Sequence, residues 1–369
     1  MCKASSLSTK RQALRFLDAP GSTRFKTQFR TIHNTSPVSP FQPRSHNLQE
    51  GAATAATSNP FLLKPERGDF SKIQASRPGF NHSLPVEVAK SPDPNWKYGE
   101  GVQNQSGDHL QHVEIDPYSP DRDMLSNYRL LISGVPRPIS LVSTASKNGE
   151  QNLAPFSYFQ VIDHDPPILV IGFSARKGRP KDTRRNLVET GECVISIVSE
   201  HMIEAVNATS LDIPYGVSEW DLSGFQTAPS STITPHRVKD AVFSIEGKLL
   251  EMKELDYGHG QNQTKGDEKS HGALAIIQAT RFWVREDALE GAHGDIDLAK
   301  LRPLVQLGGI SYARVRETFE LPRPGLEAEL KDPSKGLRPF VQDKTPPQLD
   351  RDVSKSQYEK LAYLGRGVE

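Results

Sequence analysis

Three short stretches follow one another in the middle of the chain: PRPISLVST (136–144), NLAPFSYF (152–159) and KDT (181–183). The two prolines of the first stretch disfavour a helix, and the β-branched and apolar residues after them predict a strand. An Asn-Gly pair at 148–149 stands between the first two stretches. Because Asn-Gly favours a tight hairpin turn, the second stretch is predicted to be the returning strand. The three stretches therefore predict a β-hairpin followed by a helix start.

Strands outnumber helices over the central part of the chain. Apolar spacing predicts helices over 121–132, 181–190, 201–209 and 298–307. Apolar runs predict strands over 139–144, 152–161, 168–173, 193–198, 241–252, 272–284 and 310–315. Many hairpin-like strands with a few short helices predict a mainly β fold, in the form of a closed barrel with helical decorations.

Pro155 predicts either a bulge or a sheet edge within the second stretch, because proline cannot donate a ladder hydrogen bond. A bulge would leave backbone groups free to face a planar heteroaromatic ligand. Asn152 and Ser157 would add side-chain hydrogen bonds, and Phe156 and Phe159 would form walls. The alternative is a proline-kinked edge strand with two core phenylalanines.

Lys181, Asp182 and Thr183 stand at a predicted helix start, where backbone N–H groups are unpaired and the helix dipole is positive. With an ammonium and a hydroxyl beside them, these groups predict a small phosphate site. The basic stretch 176–179 adds positive charge. The alternative is a solvated basic loop before an ordinary helix cap.

Taken together, the three stretches resemble the flavin reductase-like, FMN-binding split-barrel family, and within it the flavoredoxin-like branch. The resemblance covers residues 122–315 and includes DPP (165–167), TGE (190–192) and LGGISY (307–312). It implies a split β-barrel that dimerises and holds FMN near the subunit interface.

The resemblance also implies roles for particular residues. The isoalloxazine ring would be lined by Asn152, Leu153, Ala154, Pro155, Phe156 and Ser157. The phosphate would lie at Lys181, Asp182 and Thr183, and Ser174 and Arg176 would reach the phosphate or the ribityl chain. In such proteins the flavin carries the redox chemistry, while the polypeptide supplies binding and electronics.

The implied function is that of an FMN-binding oxidoreductase that takes electrons from NAD(P)H and passes them to flavin or another acceptor. A non-catalytic, FMN-binding dimeric protein is the alternative, and a basic-tailed interaction protein whose barrel binds nothing is a third. The chain departs from the family in its N-terminal extension, its polar insert at 256–271 and its C-terminal tail. The insert could cover the nicotinamide side of the flavin.

Composition excludes several other classes of protein. Lys and Arg number 45, as do Asp and Glu, so the zero formal charge gives no indication of nucleic-acid binding. No apolar stretch approaches the roughly 18 residues of a membrane span, which predicts a soluble protein. The two cysteines, Cys2 and Cys193, do not form a disulfide framework. Motifs for nucleophilic, metal or dinucleotide chemistry are absent, so neither catalytic residues nor metal ligands are predicted.

The N-terminus is strongly biased in composition. Residues 1–49 contain eight Lys or Arg and one acidic residue, Asp18. This composition predicts a mitochondrial presequence, and the alternative is a plain basic tail on a cytoplasmic protein. The predicted organisation is a disordered basic and linker extension over 1–115, a flavin reductase-like split barrel over 116–320, and a charged, Pro-rich, disordered tail over 321–369.

Overall fold

The computed structural model describes residues 69–102, 111–175, 180–214, 217–255, 272–291 and 294–341. The predicted presequence, Arg176, the polar insert 256–271 and the tail beyond residue 341 lie outside the described residues. All described residues fall within one unit, which spans Thr57–Glu369.

Sixteen strands and eight α-helices make up the described part of the chain. The strands are β1 (Glu87–Ala89), β2 (Arg137–Pro138), β3 (Ser140–Ala145), β4 (Gln151–Phe156), β5 (Phe159–His164), β6 (Pro167–Phe173), β7 (Glu192–Ile197), β8 (Thr227–Ala228), β9 (Arg237–Val238), β10 (Phe243–Leu255), β11 (Gly272–Val284), β12 (Leu289–Glu290), β13 (Asp295–Ile296), β14 (Leu304–Gln306), β15 (Tyr312–Arg314) and β16 (Glu317–Phe319). The helices are α1 (Phe70–Ala75), α2 (Met124–Gly134), α3 (Asp182–Thr190), α4 (Ile203–Ala208), α5 (Glu219–Ser223), α6 (Leu298–Leu301), α7 (Leu326–Lys331) and α8 (Arg338–Val341).

The main sheet has seven strands in the order β4-β3-β7-β10-β11-β6-β5, and every pairing is antiparallel. Its two edge strands, β4 and β5, follow each other in the chain with only Ser157 and Tyr158 between them. The sheet must therefore curl until its edges meet, although no ladder joins them in the described residues. The closed barrel predicted from the strand pattern is thus wrong, and a split barrel takes its place.

The core lies on both faces of this curled sheet. One cluster of buried side chains gathers residues from strands along the whole sheet, including Val142, Phe156, Leu169, Phe173, Ile195, Ile245 and Ile277. A second cluster packs the other face against the short helices, with Leu141, Leu153, Met202, Val206 and Trp220. Successive strand residues point to opposite faces, so β3 contributes to both clusters and is buried throughout.

The hairpin between β3 and β4 and the helix α3 follow their local sequence signals. Gly149 adopts φ +85° and donates its N–H to the carbonyl of Ser146 at 2.9 Å. The helix α3 ends at Gly191, which adopts a left-handed conformation at φ 71°. Both predictions are confirmed.

Several segments differ from their predictions. The strand predicted over 152–161 is two strands, β4 and β5, and the disordered tail predicted over 321–369 contains α7 and α8. The helix predicted over 298–307 ends at Leu301, because Arg302 adopts a left-handed conformation and is followed by Pro303. The strand β14 then pairs with β2 and β15. The linker predicted up to residue 115 contains α1 and β1, and β1 pairs in parallel with β16. The side chains of β1 are all exposed, so no apolar alternation marked it as a strand.

Candidate functional site

The strand β4 carries most of the predicted ring-lining residues and lies at an edge of the main sheet. Its register with β3 is regular from Gln151 to Phe156, so the edge predicted from Pro155 is confirmed and the bulge is wrong. The N–H of Leu153, two residues before Pro155, points away from β3 and donates to Glu219. Every second N–H group of a strand points to the same side, so the N–H that Pro155 lacks would also have pointed away from β3. The proline therefore removes no hydrogen bond between β3 and β4.

Glu219 covers the outer edge of β4. This residue begins α5, is buried, and accepts the Leu153 N–H at Oε2 over 3.1 Å. Burial raises the pKa of the Glu219 carboxyl, and backbone hydrogen bonds oppose that rise. The charge of Asp182 raises this pKa further, whereas the charge of Lys181 lowers it. Glu219 is therefore an electrostatic neighbour of the α3 start. No sequence pattern indicates Glu219, because its partner Leu153 lies 66 residues away along the chain.

The Lys181 side chain reaches from the start of α3 to the last residue of β4, Phe156. Lys181 is the N-cap of α3, and no side chain caps this end of the helix by a hydrogen bond. The Lys181 ammonium lies 4.9 Å from the centroid of the Phe156 ring. The structure thus brings the predicted phosphate stretch and the predicted ring-lining stretch into contact. A helix start beside an ammonium suits a phosphate, whereas Asp182, in the first turn, opposes an anion.

Asn152 and Thr183 are joined in a buried polar network. The Asn152 Nδ2 donates to the Thr183 hydroxyl at 3.0 Å and to the Thr144 hydroxyl at 3.3 Å. Asn186 donates to the same Thr144 hydroxyl at 3.1 Å, and its own Oδ1 is buried without a hydrogen-bond partner. The Thr183 side chain is 1% exposed. These two predicted ligands therefore tie β4 to α3, and the hydroxyl of Thr183 faces the network.

The aromatic residues of the second stretch lie in the core. Phe156 and Phe159 belong to the same buried cluster as Phe173. The rings of Phe156 and Phe173 meet edge to face, with centroids 5.2 Å apart. Their burial matches the alternative in which both phenylalanines are core residues, although the Lys181 ammonium lies over the Phe156 ring.

The other predicted ligands are more open to solvent. Ala154, Pro155 and Ser157 are half-buried, and Ser174 is exposed directly after the end of β6. Arg176 lies outside the described residues. The accessible part of the candidate site is therefore the stretch of β4 at Ala154 and Pro155, its continuation at Ser157, and the start of α3.

The chain is similar to one protein family, to curated proteins and to solved structures. The family model of the flavin reductase like domain matches residues 132–305. An uncharacterized protein of Halalkalibacterium halodurans is 36% identical over 214 residues, which are 58% of this chain and 97% of that protein. The uncharacterized protein YwrF of Bacillus subtilis is 34% identical over 196 residues, which are 53% of this chain and 92% of that protein.

Among solved structures, the crystal structure of nitrilotriacetate monooxygenase component B from Bacillus cereus resembles this chain with a TM-score of 0.51 and 31% identity. The match covers 57% of this chain and 100% of that one. The chain belongs to the flavin reductase-like domain family and has the split-barrel fold of that family. No helix in the described ranges is long and apolar enough to cross a membrane.

Proposed function

We propose that the protein binds FMN where β4 meets the start of α3, and that it is an oxidoreductase. It takes electrons from NAD(P)H and passes them to flavin or another acceptor. Membership of the flavin reductase-like family supports this function. The observation that carries the site is the contact between Lys181 and Phe156, because it joins the phosphate stretch to the ring-lining stretch.

Each part of the chain has a distinct task in this proposal. The flavin supplies the redox chemistry when bound. The start of α3 and the Lys181 ammonium hold the phosphate. The outer side of β4 and Ser157 orient the ring, and the Asn152–Thr183 network fixes β4 against α3. The Leu153 N–H donates to Glu219, so it is not available to a ligand.

The first experiment is the visible spectrum of the purified protein, with the released ligand identified by mass. A flavin band with FMN released supports the cofactor. A colourless protein whose spectrum is unchanged by added FMN contradicts the whole proposal. NAD(P)H oxidation with excess free FMN then separates the enzyme from the non-catalytic FMN-binding dimer, because the latter gives no consumption above the flavin-only background.

The phosphate assignment has its own test in Lys181→Ala. Only FMN carries the phosphate, so the variant should bind FMN about tenfold more weakly, the usual cost of losing a charge-assisted hydrogen bond. Riboflavin affinity should be unchanged. Fluorescence titration of both ligands measures this, with Arg185→Ala, an exposed basic residue on the same helix, as the control. Equal losses for both ligands would contradict a phosphate at Lys181.

Three further parts of the proposal rest on sequence or on resemblance. A homodimer holding FMN near its interface is implied by the family resemblance. The domain boundaries at 115 and 320 stay a prediction. The mitochondrial location rests on the composition of residues 1–49, and the bacterial relatives reported above lend it no support. Imaging a reporter fused to those residues would test it, and a diffuse cytoplasmic signal would contradict it.

A further inference from the structure

Arg137 is a buried cation with few partners. It lies in β2 and is 8% exposed. Its Nη2 donates to the Gly308 carbonyl at 2.8 Å, whereas its Nε is buried and has no hydrogen-bond partner among the described residues. In the described part of the chain, no ion pair joins Arg137 to a carboxylate. Burying a charge without a counter-charge costs free energy, so an anion that binds this guanidinium would be stabilised.

Three tyrosines interact with this guanidinium, one through its ring and two through its charge. The ring centroid of Tyr158 lies 5.7 Å from the Arg137 Cζ. Burial raises the pKa of Tyr128 and of Tyr312, and the charge of Arg137 acts on both in the opposite direction. The two phenols therefore stay neutral near pH 7 and can donate hydrogen bonds. A guanidinium with phenol groups around it is rich in donors, which favours carboxylate or phosphate oxygens.

The cluster lies at the end of the predicted ring-lining segment. Tyr158 directly follows Ser157, and its carbonyl accepts the Gly172 N–H of β6 at 2.7 Å. A Cβ added at Gly172 would lie 3.1 Å from the Tyr158 Cβ, so the glycine lets Tyr158 pack closely on β6. Tyr158 and Tyr312 are 38% and 41% exposed, which leaves the cluster open to solvent on the tyrosine side. Asn152 and Thr183 lie at the opposite end of β4.

We propose that Arg137, Tyr128, Tyr158 and Tyr312 form an anion subsite for the molecule that exchanges electrons at the flavin. The subsite takes a carboxylate or phosphate group, which either the electron donor or the electron acceptor can carry. Its placement beside the reaction rests on the proposed function, whereas its capacity to bind an anion does not. The subsite selects acidic donors or acceptors over neutral ones.

Direct binding tests the subsite without turnover. Benzoate and inorganic phosphate serve as carboxylate and phosphate probes, titrated at constant ionic strength and followed by tyrosine fluorescence and thermal melting. Arg137→Met should lower the affinity for the bound probe about tenfold or more, as expected for the loss of a charge-assisted hydrogen bond. Tyr158→Phe and Tyr312→Phe should weaken it less. Tyr118→Phe, at a 73% exposed tyrosine outside the cluster, is the matched control.

The two phenylalanine variants keep the test decisive if Arg137→Met fails to fold. The subsite would be overturned if the wild-type protein binds neither probe. It would also be overturned if no cluster variant changes the affinity for a probe. An internal or partner-subunit carboxylate that already pairs with Arg137 would give the first of these results.

Steady-state kinetics then identifies the source of the anion. The variants should raise KM for either NAD(P)H or the acceptor, with a smaller change in kcat and with FMN affinity unchanged. A raised KM for NAD(P)H assigns the nicotinamide phosphates, and a raised KM for an acidic acceptor assigns its carboxylate. Probe binding without NAD(P)H oxidation would leave the subsite standing and contradict the reductase. Turnover with both KM values unchanged would contradict the role of the subsite in the reaction and leave the proposed function standing.

Discussion

At the scale of single residues, the hydroxyl of Thr183 shows how a predicted ligand can act through another side chain. Its position at the helix start predicts a phosphate ligand, but the structure buries it against Asn152. A hydroxyl that accepts an amide N–H in the interior stabilises the contact between two elements, because an unmet buried donor is costly. Thr183 therefore sets the position of β4 relative to α3.

Thr183→Val tests this role, because it removes the hydroxyl and nearly keeps the shape. We expect a loss of about 1–3 kcal/mol in the free energy of unfolding, since the Asn152 amide loses its closer partner. The affinities for FMN and for riboflavin should fall by the same factor, because the substitution moves the ring-lining strand. Chemical unfolding and ligand titration measure both effects, and Thr190→Val on the same helix is the control. Loss of FMN affinity alone would place the hydroxyl at the phosphate instead.

Glu246 is a fully buried carboxylate that anchors the segment before β9 to the sheet. It accepts the backbone N–H groups of Ser231 and Thr232, both at 2.8 Å, and the Trp283 indole at 2.6 Å. Burial raises the pKa of this carboxyl, but hydrogen bonds from Thr232, Ser231 and Trp283 outweigh burial and lower the pKa to about 2. The charged form is therefore the one that the fold stabilises.

The depressed pKa of Glu246 predicts a specific acid sensitivity. The unfolded carboxyl titrates near 4.5, so its contribution is present above that pH and is lost as the pH falls toward 2. The shift corresponds to roughly 3 kcal/mol. We expect Glu246→Gln to be destabilised at pH 7 and to lose part of the wild-type slope of unfolding free energy between pH 5 and 2. The exposed Glu251→Gln on the same strand should keep that slope, and a wild-type slope in Glu246→Gln would contradict the assignment.

At the scale of elements, the sequence predicted what local chemistry determines. The start of α3 at Lys181 and its end at Gly191 depend on nearby residues, and both are confirmed. Pro155 correctly indicated an edge, but not which side of the strand its missing N–H would face. Glu219 was beyond prediction, because the contact with β4 depends on how distant segments fold together.

The strand β1 belongs to the part of the fold that the sequence could not predict. It pairs in parallel with β16, where the Glu87 N–H donates to the Arg316 carbonyl at 2.8 Å. Arg302 and Arg314 also donate to backbone carbonyls of this extension, at His82 and Asn81. Backbone pairing of this kind has no side-chain periodicity for a sequence pattern to reveal.

Glu87→Pro tests the pairing of β1 with β16. Proline removes the N–H that reaches Arg316, whereas Val88→Pro removes one that points away, because successive N–H groups of a strand alternate. We expect trypsin to cleave Glu87→Pro faster than wild type after Lys90, and Val88→Pro to resemble wild type. FMN affinity should stay unchanged, because this extension has no described contact with β4 or α3. Equal cleavage of the two variants would contradict the pairing.

At the scale of the whole molecule, the order of the main sheet explains why the candidate site lies where it does. The chain passes directly from one sheet edge, β4, to the other, β5, so the ring-lining segment lies at the seam of the split barrel. Edge strands tend to pair with another chain unless they are covered. The edge β5 exposes 58% of Val161 and 61% of Ile162, both apolar. We propose this edge as the surface of the proposed homodimer.

Ile162→Lys joins the proposed dimer to the proposed flavin site in one test. A buried lysine without a partner opposes association, so light scattering across a dilution series should show the variant dissociating at higher protein concentration than wild type. Leu321→Lys, at a position 75% exposed outside the sheet, should match wild type. If FMN lies near the interface, the variant should also bind FMN more weakly, and wild-type affinity should fall on dilution. A monomeric wild type would contradict the dimer. A dissociated variant that keeps full FMN affinity would place the flavin within one subunit, and this would contradict the arrangement that the family resemblance implies.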